Sequence, residues 1–560
     1  MLTLCYVHLL SSNGDPLEEL SSNGSYNSHV GYNVGNTSVL PVGKCQVLFV
    51  ESNITKDCPW GWKYEMDLGE NNIISEWDLV CNKKTLASLS TTIYFVGVMI
   101  GGVLFGTLSD RFGRKPLLLF TLYLPVGIGV GIAFSNSYWL FVFLRFIQGF
   151  LLQGLQTISY TMISEMAVPE IRSVTGTMTS LVWGTAVMLS AFVSYLIKDW
   201  RYIQLALTLP SVVTIIYIWV VPESLRWLIA KKKFKEAEEI LKKAARFNNV
   251  TIPEDPFNTK QSDRDPFING VVSVPDREES VDSEENNGKR ERRYHVVDMC
   301  RTPNLRQRSI IMFYIWFAAS VGYYGLSLSI STLAGSKYLN FFISGAVEIP
   351  AYILAMFVLR KYGRRIPLCV YFVIGGISCT VGGILTTDSL NLNGEGNLDM
   401  VATGFALVGK FGQAGTFAVI FLYSSELYPT VIRNVGIGAC AFWARLGGVV
   451  APQINLLGLY TFNSLPIIVF GVLSLAGGFL TLLLPETHKR KLPDTIEEAE
   501  DLNNQSIEEL PKARDKRNIN INKKETPCDN NKADVEMNLL EGLGDRTKGK
   551  QEQTGLSEHL

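Results

Sequence analysis

The 560-residue chain is 47% apolar and only 18% charged, with a formal net charge of −1. Its apolar residues gather into runs without a single charge, among them Leu86–Leu108, Pro116–Phe134, Ser173–Ile197 and Tyr202–Val221. Crossing ~30 Å of hydrocarbon takes about 20 helical residues, so these runs exclude a soluble enzyme or a nucleic-acid binder and specify a protein of many membrane spans.

In chain order, residues 1–85 come first. The opening stretch Met1–Leu10 is apolar but too short to span, and it lacks the charged start and cleavage site of a signal peptide. Sequons at Asn23, Asn36 and Asn53 and four cysteines, Cys5, Cys45, Cys58 and Cys81, cluster here, as expected of a glycosylated extracellular region. The sequence leaves the cysteine pairing open. Beyond the four runs above, spans are expected at Tyr138–Ile163, Ser309–Leu333, Tyr338–Leu359, Ile366–Thr387, Met400–Ser425, Asn434–Leu457 and Leu465–Pro485, eleven in all.

Basic loops fix the orientation. Arg111, Arg114 and Lys115 in one loop, and Arg360, Lys361, Arg364 and Arg365 in another, belong in the cytosol, whereas Asp388–Asp399 carries no Lys or Arg. Only the short Lys198–Arg201 loop dissents. The domains expected are thus an extracellular region 1–85, a helical bundle 86–221, a cytoplasmic loop 222–308, a second bundle 309–485 and a cytoplasmic tail 486–560. In the loop, Phe234, Ala237, Leu241 and Ala244 share one face of an amphipathic helix. The acidic, weakly apolar stretch 253–293 and the tail predict disorder.

Two features recur in both halves. Asp110–Lys115 (D-R-F-G-R-K) is echoed by Arg360–Arg365 (R-K-Y-G-R-R). Ser164-Glu165 with Pro169 and Arg172 is echoed by Ser425-Glu426 with Pro429 and Arg433. In each copy a proline separates the glutamate from the arginine seven residues on, so pairing with other loops is expected. The recurrence implies two related halves.

Longer motifs carry a resemblance. Gly106–Lys115 resembles the signature loop of the major facilitator superfamily. Cys58–Tyr64, Ser75–Cys81, Pro222–Leu228, Arg301–Arg306, Val347–Tyr352, Ser425–Asn434 and Leu484–Thr487 together resemble the organic cation, carnitine and organic anion transporters, the family 22 solute carriers, over nearly the whole chain. The resemblance implies an all-α membrane protein of two pseudo-symmetric bundles, a multi-pass protein of the plasma membrane that moves a small organic cation or zwitterion such as carnitine by alternating access. Gly106, Asp110, Arg111, Gly113, Arg114, Glu165, Arg172, Gly363, Arg364, Glu426 and Arg433 become the residues expected to gate that motion. Members of this family carry one further helix ahead of the extracellular region, so an additional N-terminal helix is expected in the natural protein.

Ionisable residues inside spans are costly and mark function. Arg145, Glu348, Lys410 and Arg445 are the ones here, and Arg145 suits a structural partner for another helix. In the family the Arg445 position separates anion and carnitine carriers, which have Arg, from cation carriers. Glu348, in V-E-I-P-A-Y, matches the carnitine and cation branch. By the same resemblance Trp316, Tyr323, Tyr324, Phe417, Phe421 and Tyr160 line the cavity, where aromatic faces attract ammonium groups. Lys410, seven residues before Phe417, shares its helical face. The expectation is that Arg445 takes a carboxylate, Lys410 supports it, and Glu348 with Tyr323 and Trp316 holds a cationic end.

Three other readings compete: an organic anion carrier, a sugar porter, and a non-transporting receptor on a transporter fold. A sugar porter would be expected to show paired glutamines in the seventh helix, but 309–333 has none. No cofactor, metal cluster or enzymatic motif is expected. The partners are the organic-ion substrate and the bilayer; a coupling ion, sodium being one candidate, and the oligomeric state are left open. Replacing Asn23, Asn36 and Asn53 together is expected to abolish the glycosidase-sensitive mobility shift on gels; a shift that survives, or that depends on Asn249, overturns the topology.

Overall fold

A computed structural model describes residues 70–166, 172–250, 296–330, 333–386, 397–458 and, with short breaks, 460–500, plus strand segments between residues 3 and 64. The disorder expected of 253–293 and of the tail lies outside the described residues, as do Asn23, Asn36, Cys45 and Cys58.

The N-terminal region contains strands, which a reading of it as loop did not anticipate. β1 (Thr3–Cys5) pairs antiparallel with β6 (Trp62–Tyr64), Thr3 opposite Tyr64. Between them β2 (Tyr32–Val34), β3 (Thr37–Val42), β4 (Gln46–Phe49) and β5 (Ile54–Asp57) form an antiparallel meander in sequence order. Asn53 sits in the β4–β5 turn with φ of 50° and is exposed. Cys81 is disulfide-bonded.

The helices follow the apolar runs. α1 (Ile73–Glu76) leads to α2 (Lys84–Phe112), α3 (Arg114–Ala133), α4 (Tyr138–Met166) and α5 (Arg172–Leu196). The next span is broken: α6 (Trp200–Thr208) and α7 (Tyr217–Val220) flank a 3₁₀ stretch, Leu209–Ile216, that opens at Pro210, which has no amide to donate. Short α8 (Leu225–Ala230) and amphipathic α9 (Phe234–Asn248) follow, with Ala237 as the buried contact of α9. The second half comprises α10 (Pro303–Ser329), α11 (Lys337–Tyr362), α12 (Arg365–Leu385), α13 (Asn397–Leu427), α14 (Arg433–Leu457), α15 (Leu465–Thr481) and short α16 (Ile496–Glu500). Among the described residues ten helices are long and apolar enough to cross a membrane. The eleventh expected span is the shorter α15, whose 17 helical residues give way to turns at Leu482–Leu484.

Without water to expel between helices, close backbone approach sets the packing in lipid. A Cβ on Gly97 or Gly101 would lie 2.2 Å from the carbonyl oxygen of Phe146 or Phe150, so α2 and α4 touch backbone to backbone. The two halves meet along α2 with α14 and along α5 with α11. α10 is the most enclosed span, with 72% of its apolar window buried against 0% for Trp200–Val220. Exposed apolar side chains such as Val182, Phe192, Val213 and Trp219 make the α5–α7 surface one that only hydrocarbon or an apolar helix covers without loss.

The N-terminal region is clamped to the first half. Glu76 pairs with Arg201 and accepts from Trp200 Nε1 at 2.6 Å, while Trp77 stacks on Tyr138, Phe141 and Trp200. The dissenting Arg201 is therefore neutralised by Glu76 at the end of the bundle away from the basic loops. Lys337 and Tyr338 at the start of α11 both reach Glu70, tying the same region to the second half.

At the opposite end α16 straps the second half. The Glu500 carboxylate accepts from the backbone amides of Asn304 at 2.8 Å and Leu305 at 3.1 Å, capping α10, and buried Arg308 donates to the carbonyls of Ala499 and Glu500. Burial by itself would raise the Glu500 pKa, but these amides and Arg308 hold it below the ordinary 4.5. A depressed carboxylate stabilises above its unfolded value and loses that contribution as pH falls through its folded one. Glu500→Gln is expected to cost about 1 kcal/mol at pH 7, read as a lower melting temperature in detergent, and the gap to the parent should close as pH drops below 4.5.

Candidate functional site

Two of the in-span charges find each other. Glu348 on α11 and Lys410 on α13 approach to 3.1 Å, with side chains 0% and 2% exposed. The same carboxylate accepts from Tyr323 Oη at 2.8 Å and from Tyr352 Oη at 3.0 Å. Lys410 Nζ donates to Ser327 Oγ at 2.6 Å and stands 3.2 Å from the centroid of the Tyr323 ring. Two charges out of water persist only when paired and hydrogen-bonded on their remaining sides, and this cluster meets that condition from three helices. Glu348 is thus not a free receptor for a cationic end: its cation is Lys410.

Arg445 does not join that pair. Its Nη1 donates to its own helix at Ala441 O, 2.9 Å, and its Nε is buried without a hydrogen-bond partner. The guanidinium crosses from α14 onto α2, where a Cβ on Gly102 would lie 2.6 Å from Nε. Arg145 on α4 lies over the rings of Tyr94, 5.9 Å, and Phe141, 5.3 Å. Neither arginine has a carboxylate partner among the described residues. Counting Arg145, Lys410 and Arg445 against Glu348 alone leaves two uncompensated positive charges at span depth.

Between these charges runs a row of aromatic rings in edge contact: Tyr94 with Phe95 at 5.5 Å, Phe95 with Tyr324 at 4.8 Å, Tyr324 with Tyr323 at 5.4 Å and Tyr323 with Phe417 at 5.4 Å. The row crosses from the first half into the second and passes both Arg445 and Lys410. Phe417 and Lys410 do share one wall, through Tyr323. Trp316 differs from expectation: it is 1% exposed, in the core of the second half, and donates to Ser424 Oγ at 2.9 Å. Phe421 packs on Trp316 and is 47% exposed, and Tyr160 is 52% exposed, apart from the row. Sequence reasoning missed Tyr94, Ser327, Tyr352 and Trp183. Tyr352, one helical turn after Glu348, was within reach of an i, i+4 argument.

The basic loops form a matched pair of clasps. Arg114 bonds Asp110 at 2.9 Å and Glu165 at 3.1 Å, and Ser224 donates to Glu165. Its twin Arg364 bonds Glu426 at 2.8 Å, and Thr487 donates to Glu426 at 2.6 Å. Glu223 accepts from the amides of Arg114 and Lys115; Glu486 accepts from those of Arg364 and Arg365. Gly113 and Gly363 turn between helices with φ of 104° and 85°, each so close to its glutamate that a Cβ would collide. Glu165 and Glu426 thus both pair with the preceding loops, and Glu426 does so in place of Arg433 seven residues on. Arg433 instead bonds Tyr428 O at 3.3 Å, the Arg172 side chain lies outside the described residues, Arg111 sits over Phe112, and Gly106 has nothing within 4 Å of its Cβ position. The P-E-S and P-E-T triplets supplying Glu223 and Glu486 are a third repeat, visible in the sequence but not recognised there as a pair.

Residues 63–498 match the protein family described as Sugar (and other) transporter. A Drosophila melanogaster organic cation transporter protein is 35% identical over 80% of this chain and 77% of its own length. The human organic cation/carnitine transporter 2 is 34% identical over 79% and 74%, and the zebrafish (Danio rerio) solute carrier family 22 member 6 is 35% identical over 86% and 82%. The inward-open xylose transporter XylE of E. coli superposes with a TM-score of 0.54 over 75% of this chain and 90% of that one, at 20% identity, a likeness of fold.

Removing one member of the buried pair strands the other's charge. Glu348→Gln and Lys410→Met are each expected to cost about 3–5 kcal/mol, while the double replacement Glu348→Leu/Lys410→Met recovers most of that loss. Thermal unfolding of the purified variants measures it; equal and additive losses would contradict the pairing.

Proposed function

Because this chain belongs to the sugar (and other) transporter family, and within it to the organic cation and family 22 solute carriers, we propose that it moves small carboxylate-bearing organic ions across the plasma membrane by alternating access of its two halves. The observation that carries the charge preference is the pair of guanidiniums, Arg445 and Arg145, left without carboxylates while Glu348 is committed to Lys410. At low dielectric an unneutralised cation attracts an anion far more strongly than it would in water, and sites near the midplane between halves suit this architecture.

In this reading Arg445 and Tyr324 take the carboxylate. The aromatic row covers the apolar body of the substrate, and its ring faces, not Glu348, receive any quaternary ammonium end, as a zwitterion such as carnitine would present. Lys410 strengthens the positive region without leaving its pair. The clasps at Arg114 and Arg364 keep each half rigid, so that rocking occurs between halves and not within them. Tyr160 and Trp316 act by packing.

A charge-assisted hydrogen bond contributes about 1.5–3 kcal/mol, or roughly ten- to a hundredfold in affinity. Arg445→Asp, at normal surface expression, is therefore expected to reduce p-aminohippurate and carnitine uptake at least tenfold while sparing tetraethylammonium. Unchanged relative uptake of anion, zwitterion and cation would overturn the assignment.

A further inference from the structure

The buried pair does not stay within the second half. Trp183, on α5 of the first half, donates its indole N–H to Tyr323 Oη at 2.8 Å. Tyr323 in turn donates its own hydroxyl hydrogen to Glu348 at 2.8 Å. A phenol has one hydrogen to give. The indole N–H can only donate, so the Tyr323 oxygen accepts from Trp183 while giving its one hydrogen to Glu348, and the two bonds share the same hydroxyl. Beside it, α5 and α11 lie close: a Cβ on Gly345 would sit 3.0 Å from the Met188 backbone, and one on Gly184 would touch Glu348 Cβ at 3.6 Å.

We infer that Trp183 is a positioning residue that couples the Glu348–Lys410 pair, through Tyr323, to the closure of the two halves on each other. An anion that arrives on the positive region competes for the field of Lys410 while the pair stays together, and leaves the Glu348 carboxylate less neutralised. The Tyr323–Glu348 bond then tightens, and because bonds in a chain polarise one another, so does the Trp183–Tyr323 bond. Substrate arrival is thereby converted into attraction between halves at the centre of the molecule. Trp183 touches no substrate in this scheme, and 46% of its surface remains exposed, consistent with a contact that opens and closes. The substrate step rests on the proposed carriage of a carboxylate-bearing ion; the coupling through Tyr323 rests on alternating access alone.

Closure can be read without substrate. Gln453 of α14 donates to Thr92 of α2 at 2.7 Å, a second bond between halves distant in sequence from the relay. In the full chain, with a protease site placed in the 251–295 loop, Thr92→Cys and Gln453→Cys are joined by a short thiol cross-linker. The fraction of halves still linked after cleavage reports closure, against a control lacking the Thr92→Cys change. Trp183→Phe and Glu348→Gln should each slow cross-linking about two- to tenfold, the worth of one hydrogen bond, and their combination should slow it no further than the stronger single change. Trp183→His, which keeps a ring N–H at similar reach, should recover the parental rate. Multiplying effects of the two single changes, or a parental rate in Trp183→Phe, would overturn the coupling. Should Trp183→Phe not yield monodisperse protein, Trp183→His against Trp183→Leu decides by the same rates. Because no transported ion enters the assay, loss of the coupling and failure of the carboxylate reading are separate results.

Discussion

A carboxylate and an ammonium held together out of water constrain everything around them. Glu348 and Lys410 are held together because α10 brings Tyr323 and Ser327 alongside and Tyr352 follows one turn after the carboxylate. This is why α10 is the most enclosed span and why the second half is built around it. Among the described residues the remaining in-span cations, Arg145 and Arg445, have no carboxylate partner. An apolar replacement of the pair could be equally stable, so its retention is best understood through what it does to its surroundings: it fixes the hydroxyl of Tyr323, and with it one polar contact between halves.

The internal duplication is tight at one end and loose in the middle. At the basic loops the two halves agree down to the glycine turn, the arginine, the glutamate near the end of α4 or α13 and the capping glutamate. At span depth they diverge. The second half holds the paired charges, whereas the first contributes rings and the unpaired Arg145 on α4.

Most of the frame was legible because membrane spans write themselves in composition: a charge-free run of about 20 residues has few other meanings, and the helices α2, α3, α4 and α5 lie where those runs are. The strands of residues 3–64 were not legible, because a short meander stabilised by pairing leaves no run longer than a few residues. In the site, sequence singled out Arg145, Glu348, Lys410 and Arg445 because burial of a charge is improbable without reason. It misassigned the partner of Glu348, because contact between helices 62 positions apart depends on rotation about each helix axis, which a single sequence does not encode. Trp183 stayed hidden among ten tryptophans for the opposite reason: an aromatic residue in a span is ordinary, and only its hydrogen-bond partner distinguishes it.

The capping glutamates carry a consequence for how the chain is made. Glu223 reaches back 109 residues to the amide of Arg114, and Glu486 reaches back 122 to that of Arg364. Until each glutamate leaves the ribosome, the N-terminus of α3 or α12 lacks its carboxylate, and the turn before it is held by glycine geometry and by the bonds of Arg114 or Arg364. At roughly 5–20 residues per second, that wait lasts on the order of ten seconds in each half. The first half can lock itself before any of the second exists. Maturation therefore proceeds in two rounds, and a lesion at Glu223 would stall the earlier one, exposing an unfinished half to quality control well before any question of transport arises.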